Sequence, residues 1–435
     1  MKENKLAAEI RPTLEQIQWA DCEIGVIIHL DLVIYQAPYD IRQHFYDPIP
    51  SSIFNPRKLN TDQWISAAKS LGAKYAVLVA KHGTGFSLWP TEAHDYSIKN
   101  SPYKNGNGDI VKEFIDSCEK YGIRPGIYCS ASFNQYFGVE NPGRVIDGDP
   151  EKQEKYNKVV LKQLTELWSN YGKLFEIWFD GGVLPVSEGG PDVSSLLKKL
   201  QPDAVTFQGP VGTKSLIRWV GNERGVAPED CSSLYDNCSQ HETGTVEHNM
   251  VCEKAEIWCP AESDFPNRDA NRSYLGGWFW REGEEKSILS ADQLFANYLT
   301  SVGRNTNMLV GMVITPDGEF PESDSTVFAE AGKKIRETFA TPIATSSTST
   351  VTIPANTTSP KHPKYIVLKE DISQGERVTG YTVRAYDACG EEIFIHSGKV
   401  IAHKRILGIP AETVKATLEI TSCRADPKLL PIEIY

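Results

Sequence analysis

The residues with the most chemical promise stand where apolar runs end. Phe175-Glu176-Ile177-Trp178-Phe179-Asp180-Gly181-Gly182 is an apolar run that stops at a carboxylate followed by two glycines. Glycines let the backbone turn sharply or a ligand approach closely. Glu223 closes Arg218-Trp219-Val220-Gly221-Asn222-Glu223, and Glu262 closes Trp258-Cys259-Pro260-Ala261-Glu262, each just after a short β-rich run. Acid–base chemistry on a glycoside needs two carboxyls of unlike pKa flanking the bond that breaks. Aromatic residues cluster in Gly276-Gly277-Trp278-Phe279-Trp280, and exposed indole faces stack well on the C–H faces of sugar rings. Singly, an Asp-Gly-Gly serves equally as a turn cap, and most glutamates are solvated surface groups. The argument gains from other polar residues at strand ends: His29, Lys81 with His82, Ser130 and Gln208.

Such residues can act together only on a scaffold that gathers strand ends at one face. Strand-like runs at 23–30, 75–82, 125–130, 175–180 and 204–208 alternate with helical periodicity at 61–70 (capped by Thr61), 108–121, 154–171 and 193–200. Repeated β-then-α units predict a parallel sheet with crossover helices, and this many in succession favour a closed (β/α)8-like TIM barrel over an open sheet. The remaining strands are expected at 217–221, 256–260 and 307–312. Catalytic groups in such a barrel cluster at the C-terminal ends of its strands. Near residue 340 the character changes. Residues 340–359 are rich in Thr, Ser and Pro, and from 365 to 435 the runs are short and β-branched with no helical period. The expected division is a catalytic barrel over 1–342 and a small all-β sandwich over 343–435.

Composition narrows the function classes. Apolar residues make up 40% and charged residues 23%, which excludes wholesale disorder. A net charge of −12 with no basic run argues against nucleic acid as a partner. No apolar run approaches the roughly 18 residues of a membrane span, and no secretory leader is expected in this chain. The nine cysteines are odd in number and lack a CxxC pair. That spacing favours buried free thiols over a zinc site, with one or two disulfides left open in 231–259.

Further blocks complete the pattern: Lys81-His82 through Gly85-Phe86-Ser87-Leu88-Trp89-Pro90, Asp95-Tyr96-Ser97, Leu200-Gln201-Pro202 and Ser301-Val302-Gly303-Arg304-Asn305. Together with the Asp180, Glu223, Glu262 and Trp278–Trp280 blocks they run in order along nearly the whole chain. The chain resembles glycoside hydrolase family 29, the retaining α-L-fucosidases. The Arg218–Glu223 and Trp258–Glu262 blocks look like the branch that prefers α-1,3/1,4-linked fucose. The resemblance implies Asp180 as nucleophile and Glu223 as acid/base, with Glu262 as the alternative. It implies a substrate-binding set of His29, His82, Trp89, Trp219, Glu262, Trp278 and Trp280. It also implies an oligosaccharide or glycoconjugate partner, no metal, no organic cofactor, and export to the periplasm or medium with the leader absent. Leu30, Gly83, Thr84 and Ala131 depart from the family pattern at positions expected beside the sugar. These departures leave open a glycone such as β-D-galactose, whose ring stereochemistry corresponds to that of L-fucose. A nearly inactive sugar-binding protein is the third reading, and the presence of both Asp180 and Glu223 counts against it.

Overall fold

The computed structural model describes residues 7, 9–236, 255–354 and 362–435. Eight parallel strands close into a barrel: β1 (Ile24–His29), β2 (Tyr75–Lys81), β3 (Arg124–Cys129), β4 (Glu176–Trp178), β5 (Val205–Phe207), β6 (Leu216–Trp219), β7 (Ala261–Phe265) and β8 (Asn307–Val313). They follow chain order around the barrel, and β8 closes on β1 with Ile24 opposite Met308 and His29 opposite Val313. Both faces of these strands are covered, and alternation along each strand separates two cores. Val26, Ile28, Leu78 and Ile127 pack outward against helices, while Ile27, Tyr75, Val77, Tyr128, Trp178, Phe207 and Leu309 fill the lumen. The lumen is crowded enough that a Cβ on Gly25 would lie 2.3 Å from the Tyr75 ring.

The helices are α1 (Leu14–Ala20), α2 (Thr61–Leu71), α3 (Ile110–Tyr121), α4 (Pro150–Asn170), α5 (Val193–Leu200), α6 (Ala291–Thr300) and α7 (Glu322–Thr338). The cap of α2 is Asn60, whose side chain accepts from the Gln63 amide; the expected cap, Thr61, is instead the first helical residue. Its hydroxyl donates to the Glu113 carbonyl of α3 at 3.0 Å, a tertiary bond that sequence spacing does not reveal. Helix α1 plugs the N-terminal end of the barrel. Its Gln16 amide donates to the Leu216 and Trp258 carbonyls at 2.8 and 3.0 Å, and Asn307 of β8 donates to the Trp19 carbonyl at 2.7 Å. No helix among the described residues is long and apolar enough to cross a membrane.

The β/α alternation breaks after β5, because residues 208–215 carry the chain straight into β6 without a helix. The strand expected at 256–260 is not part of the barrel. Ile257–Trp258 pairs antiparallel with Leu234–Tyr235 in a separate ribbon, and the barrel strand is β7. Pro260 has no amide hydrogen to give a ladder, so the parallel pairing starts after it. Glu262 therefore lies within a strand rather than beyond one.

Beyond α7 two four-stranded antiparallel sheets form a sandwich from β9 (Ala344–Ser346), β10 (Thr350–Thr352), β11 (Tyr365–Leu368), β12 (Val378–Tyr386), β13 (Glu392–Gly398), β14 (Arg405–Gly408), β15 (Lys415–Cys423) and β16 (Ile432–Ile434). One sheet has the order β9-β16-β11-β14 and the other β10-β15-β12-β13, around a core that includes Ile366, Val383, Leu418 and Ile434. The Thr/Ser-rich stretch supplies β9 and β10. The sandwich grips the connection that follows β6: Glu376 accepts from the Ser232 hydroxyl and Ser233 amide at 2.7 and 2.8 Å, and Asp230 accepts from the Lys399 and Val400 amides at 2.7 and 3.1 Å. Among the described cysteines all are free thiols, Cys231 and Cys259 included; Cys238 and Cys252 lie outside the described residues.

Candidate active site

A cavity of about 560 Å³ opens at the C-terminal ends of the strands. Many of its polar groups come from different strand ends, His29, His82, Tyr128, Asp180, Gln208, Trp219, Glu223 and Asp264; Asp40, Arg42 and Asn141 join them from loops, as do Trp278 and Phe279 from the loop after β7. Asp180 follows β4 by two residues and stands in the depth of this cavity, walled by protein yet open to its solvent. Tyr128 donates to its Oδ2 at 3.0 Å, and Ser132 donates to its carbonyl oxygen. Gly181 then turns with φ of +70°, a conformation that favours glycine, and its amide donates to Gln208 Oε1 at 2.9 Å. The surrounding protein pushes the Asp180 carboxyl above its ordinary pKa, and the Tyr128 hydrogen bond pulls it back.

Glu223 stands at the rim, where Trp278 Nε1 donates to its Oε2 at 3.1 Å. Partial burial raises its pKa, the indole N–H lowers it, and the charge of Asp180 raises it again. Trp278 is placed by two features. Gly311 on β8 leaves the space that the Trp278 ring approaches, since a Cβ there would lie 2.9 Å from it. The loop itself is anchored by a buried fork in which Arg268 Nε and one terminal nitrogen donate to Asp324 of α7 at 3.2 and 3.1 Å. The two histidines continue this wall. His29 packs on Trp278 and Phe279, with centroids 5.1 and 5.3 Å apart, and His82 stacks on Tyr128 at 5.7 Å. Burial favours the neutral form of both, pushing His82 down to about 4 and His29 well below its ordinary value, with His82 beside it. His29 Nδ1 is buried and makes no side-chain hydrogen bond among the described residues, with the Ile27 backbone beside the ring.

Neutral imidazoles, two carboxyls in unlike settings and aromatic walls are a site for sugar chemistry. The α-L-fucosidase family profile matches residues 20–337. The chain belongs to that family. It is a glycoside hydrolase by that membership, with the family's barrel followed by a β-sandwich. Alpha-L-fucosidase 1 of Arabidopsis thaliana is 28% identical over 98% of this chain and 87% of its own length. The crystal structure of a candidate α-L-fucosidase from Bacteroides thetaiotaomicron is 32% identical with a TM-score of 0.88, covering 98% of this chain and 99% of that one. A glycoside hydrolase 29 family member from an unknown rumen bacterium is 26% identical with a TM-score of 0.80, covering 98% of this chain and 77% of that one.

Of the residues that the family resemblance selects, the cavity brings together His29, His82, Asp180, Trp219, Glu223 and Trp278. Three stand elsewhere. Glu262 is sealed at the barrel base, where Tyr75 Oη donates to one oxygen at 2.6 Å and Trp178 Nε1 to the other at 2.9 Å. Trp89 is buried in the outer core with its Nε1 on Glu166 Oε2 at 2.9 Å. Trp280 is half-buried beside the cavity but does not line it; Phe279 does. None of Leu30, Gly83, Thr84 and Ala131 lines the cavity, contrary to expectation. A Cβ on Gly83 would lie 2.7 Å from Ile41 Cδ1 and 3.0 Å from the Phe133 ring, so apolar neighbours have taken that space. Thr84 Oγ1 turns away to donate to buried Asp31 at 2.7 Å.

Sequence reasoning missed Tyr128, Trp178 and Asp264. The last was within reach: in Ala261-Glu262-Ser263-Asp264-Phe265 strand alternation puts Glu262 and Asp264 on one face, with Asp264 nearer the C-terminal end. Among the described residues no three His, Cys, Asp or Glu side chains are grouped as metal ligands would be.

Proposed function

We propose that this family member is an exo-acting, retaining α-L-fucosidase that removes terminal α-linked fucose from oligosaccharides or glycoconjugates. Asp180 is the nucleophile and Glu223 the acid/base. The observation that carries this reading is the unequal setting of two carboxyls at one cavity. Burial raises both carboxyls and each keeps one donor, Tyr128 on Asp180 and Trp278 on Glu223; the difference is that Glu223 alone is pushed further toward the protonated form an acid needs, by the Asp180 charge beside it.

In the first step Asp180 attacks C1, the bond from C1 to the leaving oxygen breaks, and the Glu223 proton passes to that oxygen. The product is a β-linked fucosyl ester. In the second step a water attacks C1 while Glu223 takes its proton; the ester bond breaks and α-L-fucose leaves. Such a double displacement calls for carboxyls roughly 5–5.5 Å apart. Neutral His29 and His82 serve as hydrogen-bonding partners for ring hydroxyls, and Ile27, Phe207 and Phe279 offer apolar wall to the methyl group of a 6-deoxy sugar. The lumen packing under Trp178 closes the cavity below, which suits a terminal residue.

A panel of nitrophenyl glycosides tests the reading, with the first-formed anomer followed by NMR. Turnover of the α-L-fucoside with α-fucose released first is the expected result. Turnover of the β-D-galactoside in its place would move the glycone, and binding without turnover of any member would leave a sugar-binding protein.

A further inference from the structure

The cavity holds a third carboxyl that the two-step chemistry does not use. Asp264 is 4% exposed and lies on the lumen face of β7, one inward position above Glu262. It lines the same cavity as Asp180 and Glu223. Trp219 Nε1 donates to its Oδ1 at 2.5 Å, and among the described residues no other side chain donates to it and no cation pairs with it. Ser263 and Phe265 point the other way, Ser263 meeting Thr306 Oγ1 at 2.9 Å and Phe265 joining the outer core, so the inward direction of Asp264 is fixed by the strand. A carboxyl this enclosed, with one indole N–H and its own backbone amide as donors and no counter-ion, keeps acceptor capacity to spare toward the cavity. Burial and the neighbouring Glu223 and Glu262 carboxyls push its pKa well up. A carboxyl in either protonation state is a good partner for a hydroxyl, as donor or as acceptor.

Building on the fucosidase reading, we propose that Asp264 is a specificity-determining sugar ligand, its Oδ2 pairing with one ring hydroxyl of the bound glycone. Trp219 sets the orientation of the carboxyl. The arrangement also explains why the group is tolerated in the mouth: the substrate completes a hydrogen-bond set that the protein leaves open.

The test compares wild type, Asp264→Asn and Asp264→Ala on nitrophenyl α-L-fucoside and its 2-, 3- and 4-deoxy analogues. Thermal unfolding of each variant serves as the folding control. Asp264→Ala is expected to lower kcat/KM on the parent fucoside by roughly 3- to 100-fold, the range from a neutral to a charge-assisted hydrogen bond. On one deoxy analogue, and one only, the ratio of wild type to variant should fall to near one. Asp264→Asn should lose less, because the amide still pairs with a hydroxyl. An equal loss on all three deoxy analogues would overturn the proposal and make Asp264 a support for Trp219. A loss confined to substrates with poor leaving groups would overturn it too, since Asp264 would then act through Glu223. Failure of the fucosidase reading shows separately, as a wild-type chain inert on every fucoside.

Discussion

Strands β4 and β7 each contribute one carboxyl to the barrel base and lead to another at the mouth, and the base pair and the mouth pair share little beyond the carboxyl group. At the base, Glu176 and Glu262 are 0% exposed. Tyr75 and Trp178 donate to Glu262, Trp19 Nε1 donates to Glu176 at 3.3 Å, and burial with mutual repulsion holds a proton on the pair. Neither lines the cavity at the mouth. At the mouth, Asp180 and Asp264 each have one side-chain donor and an open side. What a carboxyl does here is decided by what it is left facing. The base pair is still connected to the chemistry, because Trp178, held by Glu262, stacks at 3.9 Å on Phe207 and at 5.3 Å on Tyr128, whose hydroxyl reaches Asp180.

The sharpest way to break this contrast is to remove one carboxyl from each end. Asp180→Ala should lose several orders of magnitude in kcat on aryl fucosides while unfolding as wild type does, with azide restoring turnover to β-fucosyl azide. Near-normal turnover would remove Asp180 from the reaction. Glu223→Gln should lose about 10²- to 10⁴-fold on fucosides with poor leaving groups and much less on nitrophenyl fucoside, which needs little protonation. If Glu262→Gln gives that signature instead, the roles of mouth and base are exchanged.

At the base the expected effect is on stability. Glu262→Ala leaves the Tyr75 hydroxyl and Trp178 N–H buried without an acceptor, and should cost roughly 2–5 kcal/mol in denaturant unfolding. Glu262→Gln can accept from Trp178 and donate to Tyr75 or Glu176, so it should cost about 1 kcal/mol or less. The pair also carries a pH signature. An acid whose folded pKa is raised binds more protons folded than unfolded. Its contribution is present below the ordinary glutamate value of 4.5 and is lost as pH rises above it. Wild-type stability should therefore decline above that pH by up to about 1.4 kcal/mol per unit for one proton, and the double variant Glu176→Gln with Glu262→Gln should flatten the decline. An unchanged slope would show that the pair does not hold the proton. The smallest effect belongs to Trp89→Phe, which should cost about 1–2 kcal/mol through the lost bond to Glu166 and leave KM for fucosides unchanged.

The barrel was legible wherever an apolar run is followed by helical periodicity, as at β3 with α4 or at α5, which spans Val193–Leu200 as its spacing predicts. Legibility failed where tertiary partners make a polar segment into core. In β7 the inward residues are carboxyls answered by side chains from β2, β4 and β6, and outward Ser263 is answered by Thr306; read alone, the segment looks like a loop. The apolar Ile257–Trp258 pair just upstream attracted the strand assignment instead, and with it the functional weight given to Glu262. Asp180 was legible because an apolar strand and a glycine turn announce it. Helix α1 gives no comparable signal in seven residues, and its role as a plug depends on carbonyls more than 190 positions away.

Covalent trapping identifies the nucleophile directly. A 2-deoxy-2-fluoro-α-L-fucosyl substrate with a good leaving group should slow both steps and accumulate the fucosyl ester, to be located by peptide mass spectrometry. A single adduct is expected on the peptide bearing Asp180, absent from Asp180→Ala. An adduct on Glu262 or Asp264, or turnover of fucosides that releases the β-anomer first with no adduct at all, would contradict it.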